Sequence, residues 1–183
     1  MSIRQFILIL SAAFLAVFLE SAFPVLHRWL GAQVDLLPVL MVYAALNADI
    51  VTVSALAVLG GLWFDALSAN PLGTTILPLY AVGFLIHLQR DLILREVAFA
   101  QLVLGTVASA VVPVISVLVM LTAGRPLLLG WSSIWQWLVM TAGGAAATPL
   151  VFAVLNGCNQ ALGYQPRSEP SFRPDREIRR GRI

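Results

Sequence analysis

The sequence contains no lysine, a single cysteine and few charged residues of any kind. Only 11% of its 183 residues are charged, whereas a soluble domain carries roughly 25%, so the composition excludes an ordinary soluble domain. The lone Cys158 excludes an internal disulfide. A net charge of +2, with six of the 11 arginines after residue 165, is not typical of a nucleic-acid-binding protein. The sequence as a whole is 60% hydrophobic, which predicts an all-α integral membrane protein.

Long apolar runs separated by short polar stretches indicate the helices. A membrane-spanning helix needs about 20 apolar residues. The first run, from Gln5 to Leu26, is too long for a cleaved signal sequence and carries Glu20 near its far end, so we predict an uncleaved helix. Glu20 has two interpretations: it meets water or pairs with His27 or Arg28, or it contacts a partner helix. Further helices are predicted over residues 50–67, 72–88, 97–121 and 131–155.

The region between residues 34 and 67 allows two interpretations. A short apolar run follows Asp35 and stops at Asn47–Asp49, before a second run begins at Ile50. Alternatively, residues 34–64 form one overlong tilted helix, which would place Asp49 near the bilayer centre at a cost of about 2.5 kcal/mol or more. We prefer the break, which gives a bundle of six transmembrane helices, with five as the alternative.

The arginines predict an orientation, because cytoplasmic segments of membrane proteins are enriched in Arg. With six spans and a cytoplasmic N-terminus, nine arginines are cytoplasmic and two, Arg28 and Arg125, are outside; five spans give the same ratio. Both alternatives put the loop at 65–73 outside and the tail inside. We therefore predict a helical bundle over residues 1–163 and a disordered, Arg-rich cytoplasmic tail over 164–183 that is attracted to anionic lipids.

No arrangement of residues typical of a catalytic site is present in the sequence. His27 and His87 fall on opposite membrane faces in the six-span interpretation, and Ser68 has no nearby base. Two acids near the outer face, Asp35 and Asp65, are the only candidates for catalysis inside the membrane. We expect no enzyme activity, no cofactor and no metal.

Asp65 stands at the end of an apolar run and is followed by turn-forming residues, Ser68, Asn70, Pro71 and Gly73. Either its carboxylate faces water, or a partner holds it, because the C-terminus of a helix is unfavourable for an acid by about 0.3–1 kcal/mol. The backbone amides that start the next helix near Leu72 are suitable partners. Asp35, in contrast, precedes a helix, where carboxylates cap free amides.

Prolines and small residues also have two interpretations each. Pro38, Pro78, Pro113 and Pro149 interrupt four predicted spans, either lining a substrate cavity or simply tolerated because neighbours satisfy the freed carbonyls. Small residues allow helices to approach closely, for internal packing or for a partner's helix. They cluster at Gly105, Ala108 and Ser109 and at residues 143–147.

Two segments resemble the MreD family of the bacterial rod-shape machinery. One is Asp35-Leu36-Leu37-Pro38, an acid followed by leucines that open the second helix. The other runs from Gly61 through Asp65, Asn70, Pro71 and Leu72 to Gly73, and is similar to the family's glycine, acid, polar turn and Pro-Leu-Gly. The similarity extends over roughly residues 1–160. The candidate docking residues are Asp35, Gly61, Asp65, Asn70, Pro71, Leu72 and Gly73.

The resemblance implies a non-enzymatic scaffold in the bacterial inner membrane. Such a protein would bind the shape protein MreC and, through it, the wall polymerase and transpeptidase and MreB filaments, and so direct peptidoglycan synthesis during elongation. The family is also similar in fold to the substrate-binding subunits of energy-coupling-factor transporters. A vitamin-type substrate-binding subunit of a membrane transporter is therefore the alternative function, with Ala12 and Ala16 as a weak match to its helix contact.

Overall fold

The computed structural model describes residues 3–22, 34–68, 71–90, 98–124 and 130–161. Within these ranges the chain is all-helical and has no strand. The helices are α1 (Ile3–Ala22), α2 (Leu37–Asn47), α3 (Ile50–Leu67), α4 (Ile76–Leu88), α5 (Ala98–Thr122) and α6 (Trp131–Ala161). The predicted helical class is thereby confirmed, whereas the tail at 164–183 lies outside the described residues.

Four of the six helices, α1, α3, α5 and α6, are long and apolar enough to cross a membrane. With 11 and 13 residues, α2 and α4 extend only about 16 Å and about 20 Å, against about 30 Å of hydrocarbon. Large apolar side chains such as Phe14, Phe99 and Leu150 are exposed on the outside of the bundle. A surface of this kind is typical of a multi-pass membrane protein, because lipid rather than water covers it.

The short helix α2 is the centre of the fold. Every residue from Leu37 to Leu46 is buried, and α2 packs against all five other helices. A helix that is apolar on all sides is buried on all sides, which explains its position. The predicted break is confirmed: α2 ends at Asn47 and α3 begins at Ile50, so the overlong helix over 34–64 is wrong.

Two details of the predicted helices are wrong. The fourth helix begins at Ile76 rather than at residue 72, because residues 72–75 form a turn. Pro38 and Pro78 are the second and third residues of their helices; in the first turn a missing N–H breaks no helical hydrogen bond, so they interrupt nothing. Among the described residues, Pro113 and Pro149 are the prolines that lie beyond the first turn of a helix.

Small residues join α5 to α6. A Cβ added at Gly105 would collide with Thr148, and one added at Gly144 would collide with Ser109. The four positions form two pairs spaced by four residues, one pair on each helix, so the backbones approach along one matched stripe. These residues therefore serve internal packing, and a Cβ added at Gly143 would meet Val34, in the segment before α2.

Hydrogen bonds between helices define the two ends of the bundle. At one end, Glu20 of α1 accepts a hydrogen bond from Leu36 N, just before α2. We call this the Asp65 end, because α3, which carries Asp65 in its last turn, finishes there. At the other, the Asn47 end, Gln5 donates to the carbonyl oxygen of Asn47. Asn159 near the end of α6 donates to Tyr43 of α2, so α6 also finishes at the Asn47 end.

Candidate functional site

Asp65 is buried at the end of α3, with 1% of its surface exposed. Its Oδ2 accepts hydrogen bonds from the backbone N–H of Gly73 (2.8 Å) and of Thr75 (3.2 Å). Its Oδ1 accepts the hydroxyl proton of Thr75 and lies 3.4 Å from Thr74 Oγ1. The carboxylate thus satisfies amides at the start of α4, where the helix dipole also favours a negative charge. The interpretation that Asp65 faces water is wrong.

Gly61 explains how Asp65 comes so close to α4. It precedes Asp65 by one helical turn, on the same face of α3. A Cβ at Gly61 would lie 3.0 Å from the backbone nitrogen and 3.1 Å from the Cα of Ile76, so any side chain there would push the start of α4 away from α3. Gly73 has φ of +93°, a backbone conformation that glycine adopts without strain. Gly61, Asp65 and Gly73 therefore build this turn together. The backbone amides that bind the Asp65 carboxylate are those of Gly73 and Thr75, which are close to the amides expected near Leu72.

The remaining motif residues shape the outside of this connection, which we call the Asp65 turn (residues 65–68 and 71–75). The carbonyl oxygen of Pro71 accepts bonds from the N–H and the hydroxyl of Thr74, at 3.3 Å and 2.9 Å. Leu72 is 70% exposed and Leu67 is 55% exposed, and Leu72 is the more exposed of these two large apolar side chains in the described part of the turn. Asn70 lies outside the described residues.

Asp35 and Glu20 stabilise the start of α2. Asp35 Oδ1 accepts from Leu37 N at 2.8 Å, which confirms the predicted capping role. Burial raises the pKa of the Asp35 carboxyl to about 6, and the hydrogen bond from Leu37 opposes that rise. Glu20 Oε1 accepts from Leu36 N at 2.6 Å, while Oε2 has no hydrogen-bond partner among the described residues. His27 and Arg28, the partners expected for Glu20, lie outside the described residues.

A second polar cluster, at the Asn47 end, was not foreseen from the sequence. The last carbonyl oxygens of α2 are free of helical partners, and side chains from other helices approach them: Gln5 at Asn47, His87 at Ala45 (3.0 Å) and Arg90 at Ala48 (3.4 Å). Tyr43 donates its hydroxyl proton to Asn156 at 3.0 Å and accepts from Asn159 at 2.8 Å. The sequence does contain a pattern that indicates this cluster, because isolated Gln and Asn residues in apolar runs indicate a buried polar partner.

An open cavity of about 940 Å³ lies between the second half of α5 and the first half of α6. It is mostly apolar, with Ser133 and Gln136 as polar side chains, and includes Pro113, Leu118, Trp131, Trp137 and Met140. None of the candidate docking residues lines it. The cavity is thus separate from the Asp65 turn.

The described residues contain no group of three or more His, Cys, Asp or Glu side chains that could hold a metal. Asp35 and Asp65 are each committed to backbone amides. Comparison with known proteins finds no matching family model, no matching curated protein and no matching solved structure.

Proposed function

We propose that this protein is a non-enzymatic membrane scaffold that regulates cell shape and peptidoglycan synthesis, in the manner of the MreD family. The observation that carries the proposal is the Asp65 turn, in which the residues that resemble that family form one connected structure. Gly61 permits the close approach, Asp65 fixes the start of α4 and Gly73 makes the bend. The motif thus builds a fixed surface.

The surface of the Asp65 turn is better suited to docking a partner than to catalysis. A catalytic carboxylate must lie within hydrogen-bond reach of the substrate's proton, whereas Asp65 is 1% exposed and both of its oxygens accept hydrogen bonds from the turn. Leu72 stands outward on this rigid support, as an apolar anchor does at a protein interface. We propose MreC as the partner that contacts it, with the wall polymerase, the transpeptidase and MreB filaments bound indirectly.

The proposed location follows from the arginine distribution. The protein would lie in the bacterial inner membrane, with its C-terminus in the cytoplasm and the Asp65 end facing outwards. Six crossings would include the two short helices α2 and α4. In this arrangement Leu72 is available to the extracytoplasmic part of a partner.

A substrate-binding subunit of a vitamin transporter is the alternative, and the cavity between α5 and α6 is the observation in its favour. Its volume of about 940 Å³ falls within the range of about 300–1,000 Å³ that small-molecule sites have. Its lining offers few polar side chains for a polar vitamin. The scaffold is therefore the better-supported function.

Co-purification from the native membrane distinguishes the two functions. The tagged chain is solubilised in mild detergent, and the proteins that accompany it are identified by mass spectrometry. We expect MreC and the wall synthases. A transporter membrane subunit with its ATPases would overturn the scaffold proposal.

The variant Leu72→Ala tests the surface itself. Because Leu72 is exposed, its removal should reduce recovery of MreC without unfolding the chain. Leu77→Ala is the matched control, since Leu77 is also an exposed leucine (58%) close by at the start of α4. Equal recovery of MreC with both variants would rule out Leu72 as the anchor.

A further inference from the structure

Helix α5 has a weak point at Pro113. Proline has no N–H, so the carbonyl of Ser109, four residues earlier, lacks its usual helical partner. The carbonyl of Ala110, in the same turn, accepts a hydrogen bond from Trp137 Nε1 at 3.0 Å. A side chain of α6 thus bridges the two helices beside the proline.

Helix α6 has a weak point at the same level. Gly143 and Gly144 are adjacent inside the helix, where each glycine is about 1 kcal/mol less favourable than alanine. Gly144 packs directly against Ser109 of α5, one turn before Pro113. A glycine pair and a proline, two features at which helices bend, therefore lie side by side.

Burial changes abruptly at this level. On α5 the buried residues are Gly105, Ala108, Ser109 and Val112, and none of residues 113–122 is buried. On α6 the first buried residue is Gly144, and none of residues 131–143 is. We call residues 113–122 and 131–142 the outer arms. Segments that move easily have few buried apolar contacts.

The outer arms also pack loosely against each other. The cavity of about 940 Å³ opens between them, with Pro113 and Met140 at its inner edge and Leu118 and Trp131 farther out. Below Pro113 the same two helices are in tight contact through Gly105 and Gly144. Past the hinge level, therefore, contacts with the bundle core are few among the described residues: Ile115 is the outer-arm side chain that packs against it.

From these observations we infer that the outer arms of α5 and α6 move as a unit about a hinge formed by Pro113 and the Gly143–Gly144 pair, and that the Trp137–Ala110 hydrogen bond holds the closed position. The cavity lies between the two arms and moves with them. The core half of each helix stays fixed through the small-residue stripe.

The size of the movement follows from the geometry. From Pro113 to Thr122 the arm of α5 is about 14 Å long. A bend of about 20° at the hinge, the lower bound for a sharp helix kink, moves its tip by about 5 Å. Such a displacement is measurable between two spin labels.

The experiment uses the full chain in lipid nanodiscs, with Cys158→Ser to remove the native thiol. One label pair, Leu121→Cys with Leu67→Cys, reports the outer arm against α3. A second pair, Val107→Cys with Leu67→Cys, reports the core half of α5. All three sites are exposed. We expect the distance distribution of the outer pair to be about 5 Å wider than that of the core pair, as the hinge geometry gives.

Two variants test the cause. Pro113→Ala restores the helical N–H and should narrow the outer distribution to the width of the core pair. Trp137→Phe removes the bridging donor and should shift the outer pair towards the open distances, whereas Trp131→Phe, at an 84% exposed indole, should not. If the core-pair distance changes in Pro113→Ala, that variant is misfolded, and the result of Trp137→Phe alone then tests the hinge. Equal widths for both pairs, or an outer pair indifferent to Trp137→Phe, would overturn the hinge.

Discussion

At the scale of single residues, Asp65 shows how an acid is kept at an unfavourable helix end. It lies in the last turn of α3, where the helix dipole repels it, yet its carboxylate also lies against the N-terminus of α4, whose dipole attracts it. The second helix reverses the effect of the first. Because the carboxylate also accepts hydrogen bonds from the N–H groups of Gly73 and Thr75, Asp65 stabilises the folded structure.

Replacing Asp65 by alanine should therefore destabilise the protein. Each buried amide left without an acceptor costs about 1–3 kcal/mol, and Asp65→Ala leaves two. Glu20→Ala removes the acceptor of only one amide, Leu36 N, so its effect should be smaller. Thermal unfolding in detergent measures both; a Glu20→Ala loss equal to or larger than the Asp65→Ala loss would contradict this account.

Gly61 allows an equally specific test. In Gly61→Ala the new methyl group would press on the backbone of Ile76, and overpacking of this kind costs about 1–3 kcal/mol. Gly157→Ala is the control, because nothing lies within 4 Å of a Cβ there and alanine is about 1 kcal/mol more favourable inside a helix. The melting temperature should fall for Gly61→Ala and stay or rise for Gly157→Ala. A fall for both would mean that the close contact is not the cause.

At the scale of elements, α2 is too short to be held by its own helical hydrogen bonds and depends on its neighbours. Asp35 and Glu20 satisfy amides at its start, and Gln5, His87 and Arg90 approach the carbonyls at its end. In an apolar surrounding each unpaired backbone group costs several kcal/mol. Helices α1 and α4 thus provide the polar ends for α2.

The link from α2 to α6 is made by Tyr43, which predicts the effect of removing its hydroxyl. Tyr43→Phe keeps the ring, which packs edge-on against Phe152, and deletes the bonds to Asn156 and Asn159. We expect a loss of about 1–3 kcal/mol, because the amide of buried Asn159 loses an acceptor. Tyr80→Phe, at a tyrosine that is 41% exposed, should be neutral. Equal melting temperatures for the two variants would show that the cluster adds nothing.

At the scale of the whole molecule, the helix ends sort into two sets. The Asp65 turn and the start of α2 lie at one end, and the end of α2 and the last turn of α4 lie at the other. Leu72 and Gln89 flank α4, both with exposed side chains. Although α4 is short, it therefore connects the two ends of the bundle.

Labelling with a membrane-impermeant thiol reagent tests whether α4 crosses. In a Cys158→Ser background, Leu72→Cys should react in intact spheroplasts and Gln89→Cys only after permeabilisation, because the proposed orientation has the Asp65 end outside. Cys158→Ser alone is the control and should not react. Reaction of both cysteines from the same side would show that α4 does not cross.

Local chemistry made part of this structure predictable. The break before Ile50 follows from polar residues in an apolar run, the cap at Asp35 from an acid before a helix, and the Asp65 turn from an acid, a glycine and turn-forming residues at short spacing. All of these depend on residues close together in the chain. The start of the fourth helix was misplaced because Thr74 and Thr75 join the turn through Asp65, a contact across ten residues.

The sequence by itself determined the helical class, most of the helix limits and the turn that follows Asp65, because hydrophobic runs and turn-forming residues act locally. Only the tertiary structure decided that the shortest helix is the centre, that Tyr43 meets Asn159 more than a hundred residues away, and that Gly105 fits Thr148. Those pairings depend on which faces meet, and nearly uniform apolar helices carry no periodic signal of their buried face. The packing of small and polar side chains determines which helix faces meet.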